Sequence, residues 1–182
     1  MDKLEIRFLN PNDHQYKAEL ADMLAQAWPQ SYADNAAQEV DECLAEERIA
    51  LIALEQGRLV GFVGAIPQYG HTGWELHPLL VRQERRGSGI GMRLVNEIEK
   101  QVALRGGITL YLGSDDENGA TSLSLGDLFD DTYRKIETIT NLKAHPYAFY
   151  QRLGYKIVGV IPDASGPGKP DIWMAKRIAR NN

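Results

Sequence analysis

The sequence has one cysteine, Cys43, in 182 residues, so no intrachain disulfide can form. Stability must come from a core, and a chain of this length with 43% apolar residues can bury one as a single domain spanning residues 1–182. No apolar run is long enough to span a membrane, and no charged, apolar and small-residue leader opens the chain. A cytoplasmic protein with no membrane partner is expected. An excess of positive charge is also missing: 20 Lys and Arg against 25 Asp and Glu give a net charge of -5, which argues against nucleic acid and leans towards a cationic partner. There is no internal repeat and no low-complexity segment. Neither Gly-x-Gly-x-x-Gly after the first strand nor a loop ending in Gly-Lys-Ser/Thr occurs, which excludes the common dinucleotide and nucleoside-triphosphate cradles. No metal site is read.

What is present is an uninterrupted strand, turn and helix start at residues 74–96, WELHPLLVRQERRGSGIGMRLVN. Leu76, Leu79, Leu80 and Val81 form an apolar run of strand length, and Met92, Val95, Ile98 and Val102 recur at helical spacing. Between them Arg85-Arg86-Gly87-Ser88-Gly89-Ile90-Gly91 has the composition of a phosphate cradle. Glycines let backbone amides approach an anion, the helix N-terminus attracts it, and the arginines add charge. A tight strand-to-helix connection is the plainer alternative.

Around this stretch, residues 4–9 alternate as an opening strand, and Tyr16, Leu20, Met23, Leu24 and Ala27 repeat as a helix that stops at Pro29. A second helix is expected over 36–46. Strands over 49–54 and 59–66 are joined by Glu55-Gln56-Gly57-Arg58, a hairpin signal. After the helix over 92–104, residues 108–112 return as a buried strand. The acid-rich stretch that follows runs into a helix over 128–142, then a short helix over 145–153 and strands over 156–161 and 172–178. The Pro- and Gly-rich residues 162–170 read as a surface loop. A basic, frayed tail is expected to end the chain.

Arg86-x-x-Gly89-x-Gly91 after a mid-chain strand resembles the acyl-CoA pyrophosphate loop of the GNAT N-acetyltransferase superfamily, and HPYAFYQRLGY at 145–155 is similar to that superfamily's carboxy-terminal Tyr-x-x-x-Gly-aromatic signature. The order of elements agrees with that α/β fold, a central mixed sheet flanked by helices. Finer segments, AWPQSY, VGFVGAIPQYG, TGWELHPLLV, GGITLYLGSDD and KPDIWMAK, resemble the aminoglycoside 6'-N-acetyltransferases. The resemblance implies acetyl-CoA as co-substrate, an aminoglycoside acceptor, a homodimer, and pyrophosphate contacts from Arg86, Gly87, Ser88, Gly89, Ile90 and Gly91. It also implies that the strand backbone at Leu79 and Val81 runs along the pantetheine arm and that Tyr150 lies at the thiol end. The superfamily's usual Asn seven residues before that tyrosine is here Lys143, and Pro146 stands where a small residue is common.

Glu75 is a carboxylate on an otherwise apolar strand. It is either a strand-end acid facing water or the group that takes a proton from the acceptor ammonium, which is not nucleophilic until deprotonated. The backbone N–H of Leu79, if freed by a bulge, would stabilise the oxyanion, an effect of about 3–4 kcal/mol per donor. Tyr150 either donates to the departing thiolate or anchors its helix beside Phe149. His77 stays outside the catalytic set. Between Ser114 and Asp131 there is no Lys or Arg, and Asp115 and Asp116 open a run continued by Asp127, Asp130 and Asp131. This run is either a solvated face or a rim that steers a polycationic acceptor. Trp28, Tyr32 and Tyr69 are either partly buried structural aromatics or, as their positions in the resembled family imply, residues that face the acceptor. Acetylation of a polyamine or protein amine, or non-catalytic binding of acyl-CoA, remain open alternatives.

Overall fold

The computed structural model describes residues 4–179; the expected basic tail lies outside the described residues. In chain order the elements are β1 (Glu5–Phe8), α1 (His14–Ala27), α2 (Pro29–Tyr32), α3 (Ala36–Glu42), β2 (Ile49–Glu55), β3 (Arg58–Tyr69) and β4 (Gly73–Val81). They continue with α4 (Ile90–Leu104), β5 (Thr109–Asp115), α5 (Thr132–Glu137), α6 (Tyr147–Arg152), β6 (Lys156–Ile161) and β7 (Asp171–Arg177). The strands form one seven-stranded mixed sheet in the order β1-β2-β3-β4-β5-β7-β6. No described helix is long and apolar enough to cross a membrane.

The chain divides into two compact units, one running to Leu110 and resuming at Ile178, the other Tyr111–Arg177. In the first, β1 to β4 pair antiparallel in succession. Every residue of β2 from Ile49 to Leu54 is buried, the pattern of a strand covered on both faces. Ile52, Phe62 and Leu80 pack on one face against Leu20 and Leu24 of α1 and Val40 of α3. On the other face Gly61 admits α4: a Cβ there would meet Leu94 Cδ1 at 2.9 Å and Ile90 Cγ2 at 3.2 Å. Helix α4 presents Ile90, Leu94, Val95, Ile98 and Val102 as its buried stripe.

In the second unit β6 and β7 pair antiparallel, with Val158 as the extra residue of a bulge. Ile172 and Met174 are fully buried, and Tyr111 stacks on Trp173 with centroids 5.7 Å apart. The loop after β6 folds back on itself, Ser165 N–H donating to the Lys169 carbonyl.

Several boundaries differ from those expected. The helix expected to stop at Pro29 does end at Ala27, and Pro29 then opens a further short helix, α2, at its first position, where a missing N–H is harmless. Helix α3 ends at Glu42, short of 46, and the helix expected over 128–142 is limited to the six residues of α5. Strand β3 runs to Tyr69 and β4 begins at Gly73, so a hairpin joins them with Gly70 at φ 58°.

Candidate active site

In β4, Trp74, Leu76, Pro78 and Leu80 are buried while Glu75, His77, Leu79 and Val81 are partly exposed. The register against β3 steps from Val63–Leu79 to Ala65–Leu76, so His77 and Pro78 together oppose Gly64. This bulge requires glycine at 64, because a Cβ there would run into the His77 carbonyl oxygen. It also changes which side of the sheet a given parity faces. Leu80 packs with α1 and α3, whereas Trp74 lies beside Gly107 and Val102 at the end of α4. Strict alternation would put both even-numbered residues on one face; one extra residue reverses it. Glu75 and His77 accordingly emerge on the side of α2, where the Tyr32 hydroxyl lies 3.2 Å from His77 Nε2.

A second bulge lies at the start of this hairpin. Pro67 pairs with Trp74 and Tyr69 with Gly73, which leaves Gln68 as the extra residue. Its amide Nε2 donates to Glu75 Oε2 at 2.9 Å. Trp28 packs edge-on to Tyr32, centroids 6.0 Å apart. Trp28 and Tyr69 are 39% and 66% exposed, more solvent-accessible than core aromatics.

The turn from β4 into α4 has the geometry of an anion cradle. Gly87 and Gly89 have φ of 76° and 85°, in the left-handed region, and Gly89 is the N-cap residue of α4. No side chain caps this 15-residue helix and no acid stands in its first turn, so its first N–H groups and the positive end of its dipole are left for an external acceptor. Ser88 Oγ donates to the Arg85 carbonyl at 2.6 Å and pins the turn. The Ile90 side chain is buried, leaving its backbone N–H as what it presents. Of the two arginines, Arg85 is bound to Glu55 at 2.5 Å, while exposed Arg86 spends only its Nε on the Val81 carbonyl at 3.2 Å. These residues suit a pyrophosphate. Gly89→Val, forced into a left-handed φ, is expected to weaken coenzyme A binding about tenfold. Calorimetry giving parental affinity in a folded variant would remove the cradle assignment.

In the second unit Tyr150 is buried on α6, edge-on to Phe149 at 5.0 Å and to Tyr155 at 5.7 Å. Burial pushes its phenol well up, so at neutral pH it is a hydrogen-bond donor and not a base. His145, also buried, ties this helix to the end of β5: its Nε2 lies 3.1 Å from the Asp115 carbonyl oxygen, and its Nδ1 accepts from the Tyr147 N–H at 3.2 Å. These two bonds together specify the neutral tautomer with the proton on Nε2.

Of the acidic rim expected at Asp115 and Asp116, only Asp115 lies at the surface. Asp115 is exposed and accepts from Ser165 Oγ at 2.9 Å. Asp116, one residue on, points inward and is 1% exposed. Its carboxylate accepts from Ala120 N at 2.6 Å, Thr121 N at 2.8 Å, and Thr121 Oγ1 and Ser124 Oγ at 2.7 Å each. A carboxylate so surrounded organises its own loop and has no face for a ligand. In the rest of the run Arg134 pairs with Asp131 at 2.6 Å, and Lys135 donates to the backbone carbonyl of Asp127.

The chain belongs to the acetyltransferase (GNAT) family, whose sequence model matches residues 17–123. Within that family its similarity is specific. A crystal structure of an aminoglycoside 6'-N-acetyltransferase complexed with coenzyme A is 54% identical, with a TM-score of 0.96 over 98% of this chain and 99% of that one. The aminoglycoside 6'-N-acetyltransferase from Enterococcus faecium is also 54% identical, with a TM-score of 0.94 over the same shares. An aminoglycoside 6'-acetyltransferase type Ii is 48% identical, with a TM-score of 0.78, again over 98% and 99%. No curated protein sequence matches the chain at a significant level.

Residue-by-residue reading of the sequence passed over Gln68 and the Tyr32–His77 pair. The only available signal for Gln68 was the hairpin closing at 70–72, which brings residue 68 within a diagonal step of residue 75.

Proposed function

We propose that the protein transfers the acetyl group of acetyl-CoA to the 6'-amine of aminoglycoside antibiotics, by direct attack within a ternary complex, and thereby confers resistance. The observation that carries this reading is the 54% identity over nearly the full length of both chains to a 6'-N-acetyltransferase that binds coenzyme A. In this reading residues 1–182 act as one acetyltransferase domain, in the cytoplasm and as a homodimer, without metal or nucleic acid. The cradle of Arg86, Gly87, Ser88, Gly89, Ile90 and Gly91 holds the pyrophosphate, and the β4 backbone at Leu79 and Val81 follows the pantetheine arm. Glu75 takes the proton that the acceptor ammonium must lose, directly or through water. The amine nitrogen then bonds to the thioester carbonyl carbon, the developing oxyanion is met by the Leu79 N–H beside the bulge, and the carbon–sulfur bond breaks. Tyr150 donates a hydrogen bond to the departing sulfur, and the second proton, shed by the acylated nitrogen, passes to the thiolate. Cys43 takes no part: it is buried, and burial raises its thiol to about 12, so no thiolate is available for a covalent acetyl-enzyme.

The test is free thiol released on mixing protein, acetyl-CoA and kanamycin, with the acetylated position read by NMR. Release with polyamines or peptides but not with kanamycin would transfer the reading to another amine class. Coenzyme A binding without release for any amine would reduce the protein to a binding module.

On the acceptor side, Trp28, Tyr32, Tyr69 and Glu75 supply contact surface, and Asp115 supplies long-range attraction, screened over about 8 Å at physiological ionic strength. Asp115→Asn is expected to weaken apparent aminoglycoside affinity about threefold at low salt and to flatten its salt dependence, leaving coenzyme A affinity unchanged. Asp116, being enclosed, offers the acceptor no direct contact. Equal salt slopes in parent and Asp115→Asn would place acceptor steering elsewhere.

A further inference from the structure

Glu75 is held by a residue to which no role has been given. Glu75 pairs with Ile66 across the hairpin, and Gln68 stands two residues further along β3, diagonal to Glu75 and on the same face. The extra residue of the bulge falls at Gln68, bending the strand where a long side chain can reach back. Its Nε2 then meets Glu75 Oε2 at 2.9 Å. Gln68 is itself exposed and packs into no core, so its placement serves this bond and not the fold.

We propose that Gln68 is a positioning residue for acetyl transfer, acting through Glu75 and selecting its rotamer so that Oε1 is left to receive the acceptor's proton. The inference rests on the reading of Glu75 as the proton acceptor. A neutral amide is suited to this task. A lysine at 68 would neutralise the carboxylate by ion pairing, and a glutamate would repel it, whereas an amide N–H holds the carboxylate in place and takes none of its charge. The bond also fixes a side chain that would otherwise sample several rotamers, and loss of near-attack geometry lowers the rate without weakening cofactor binding.

Steady-state kinetics with an aminoglycoside acceptor on Gln68→Leu, Gln68→Glu, Glu75→Gln and the double variant Gln68→Leu/Glu75→Gln test it. Gln68→Leu is expected to lower kcat about fivefold with the KM for acetyl-CoA and the Tm unchanged, and Gln68→Glu to lower it further. The double variant should be no slower than Glu75→Gln alone, because without the carboxylate there is nothing left to position. Parental kcat in Gln68→Leu beside a slow Glu75→Gln would overturn the proposal and leave Glu75 in its role. So would multiplicative losses in the double variant, or a loss accompanied by a raised KM for acetyl-CoA and a lowered Tm. Full activity in Glu75→Gln would instead remove the base assignment and Gln68's role together.

Discussion

Glu75→Gln is expected to lower kcat with an aminoglycoside acceptor about a hundredfold, the lower end of what a positioned proton acceptor contributes, while coenzyme A affinity stays within about twofold. The substitution is nearly isosteric, and the Gln68 amide can still donate to the new amide oxygen, so the hairpin is left intact. What disappears is the only atom pair on this face of β4 able to accept a proton as an anion. An amine already neutral in solution needs no such help, so the loss should shrink as pH rises and more acceptor arrives deprotonated. Stopped-flow thiol release measured across pH, with calorimetric coenzyme A binding alongside, checks both parts. Full turnover at every pH would show that Glu75 is a strand-end acid facing water.

Asp116→Ala is expected to cost about 4 kcal/mol of stability at neutral pH. Four donors on Ala120, Thr121 and Ser124 converge on this carboxylate, and Thr121 is as deeply buried as Asp116 itself. Removing their common acceptor leaves enclosed N–H and O–H groups unpaired, at about 1–3 kcal/mol each before relaxation. Asp116→Asn should be intermediate, because its NH2 turns a donor towards donors. Burial pushes the Asp116 carboxyl up, but the hydrogen bonds from Ala120, Ser124 and Thr121 outweigh it and hold the group below its ordinary value of about 3.8. A folded-state pKa below the unfolded one stabilises above the unfolded value and loses that contribution as pH falls through the folded one. The parent should therefore lose stability from about pH 4 downwards by a component that Asp116→Ala lacks, and the two should converge. Urea unfolding of both proteins at pH 7 and at about pH 3 measures the gap; a gap that stays constant would mean the carboxylate's charge plays no part in holding the loop.

These two acids mark the limit of what was legible in the sequence. Both read as unpaired charge, one on an apolar strand and one in an acidic run, and local pattern treats such cases alike. Glu75 stays partly exposed because the bulge at His77–Pro78 determines which face residues 75 and 77 take. Asp116, just past the end of β5, turns inward to meet the donors of the loop that follows it, while Asp115 faces out. The arginines before the cradle divide in the same way: adjacent in sequence, Arg85 is taken by Glu55, thirty residues earlier, and Arg86 is left largely free.

By itself the sequence determined the order of the strands and of most helices, the glycine turn ahead of α4, the tyrosine signature at 145–155 and the family that these imply. Each is written in nearest-neighbour terms: apolar period, backbone permissiveness and the N-terminus of a helix. Only the tertiary structure decided that β7 enters the sheet between β5 and β6, that α2 begins on the proline expected to end a helix, and that Gln68 holds Glu75 while four donors enclose Asp116. Those outcomes depend on which non-local partner wins a polar group and on single extra residues that reverse a strand's parity, and neither leaves a periodic trace in the chain.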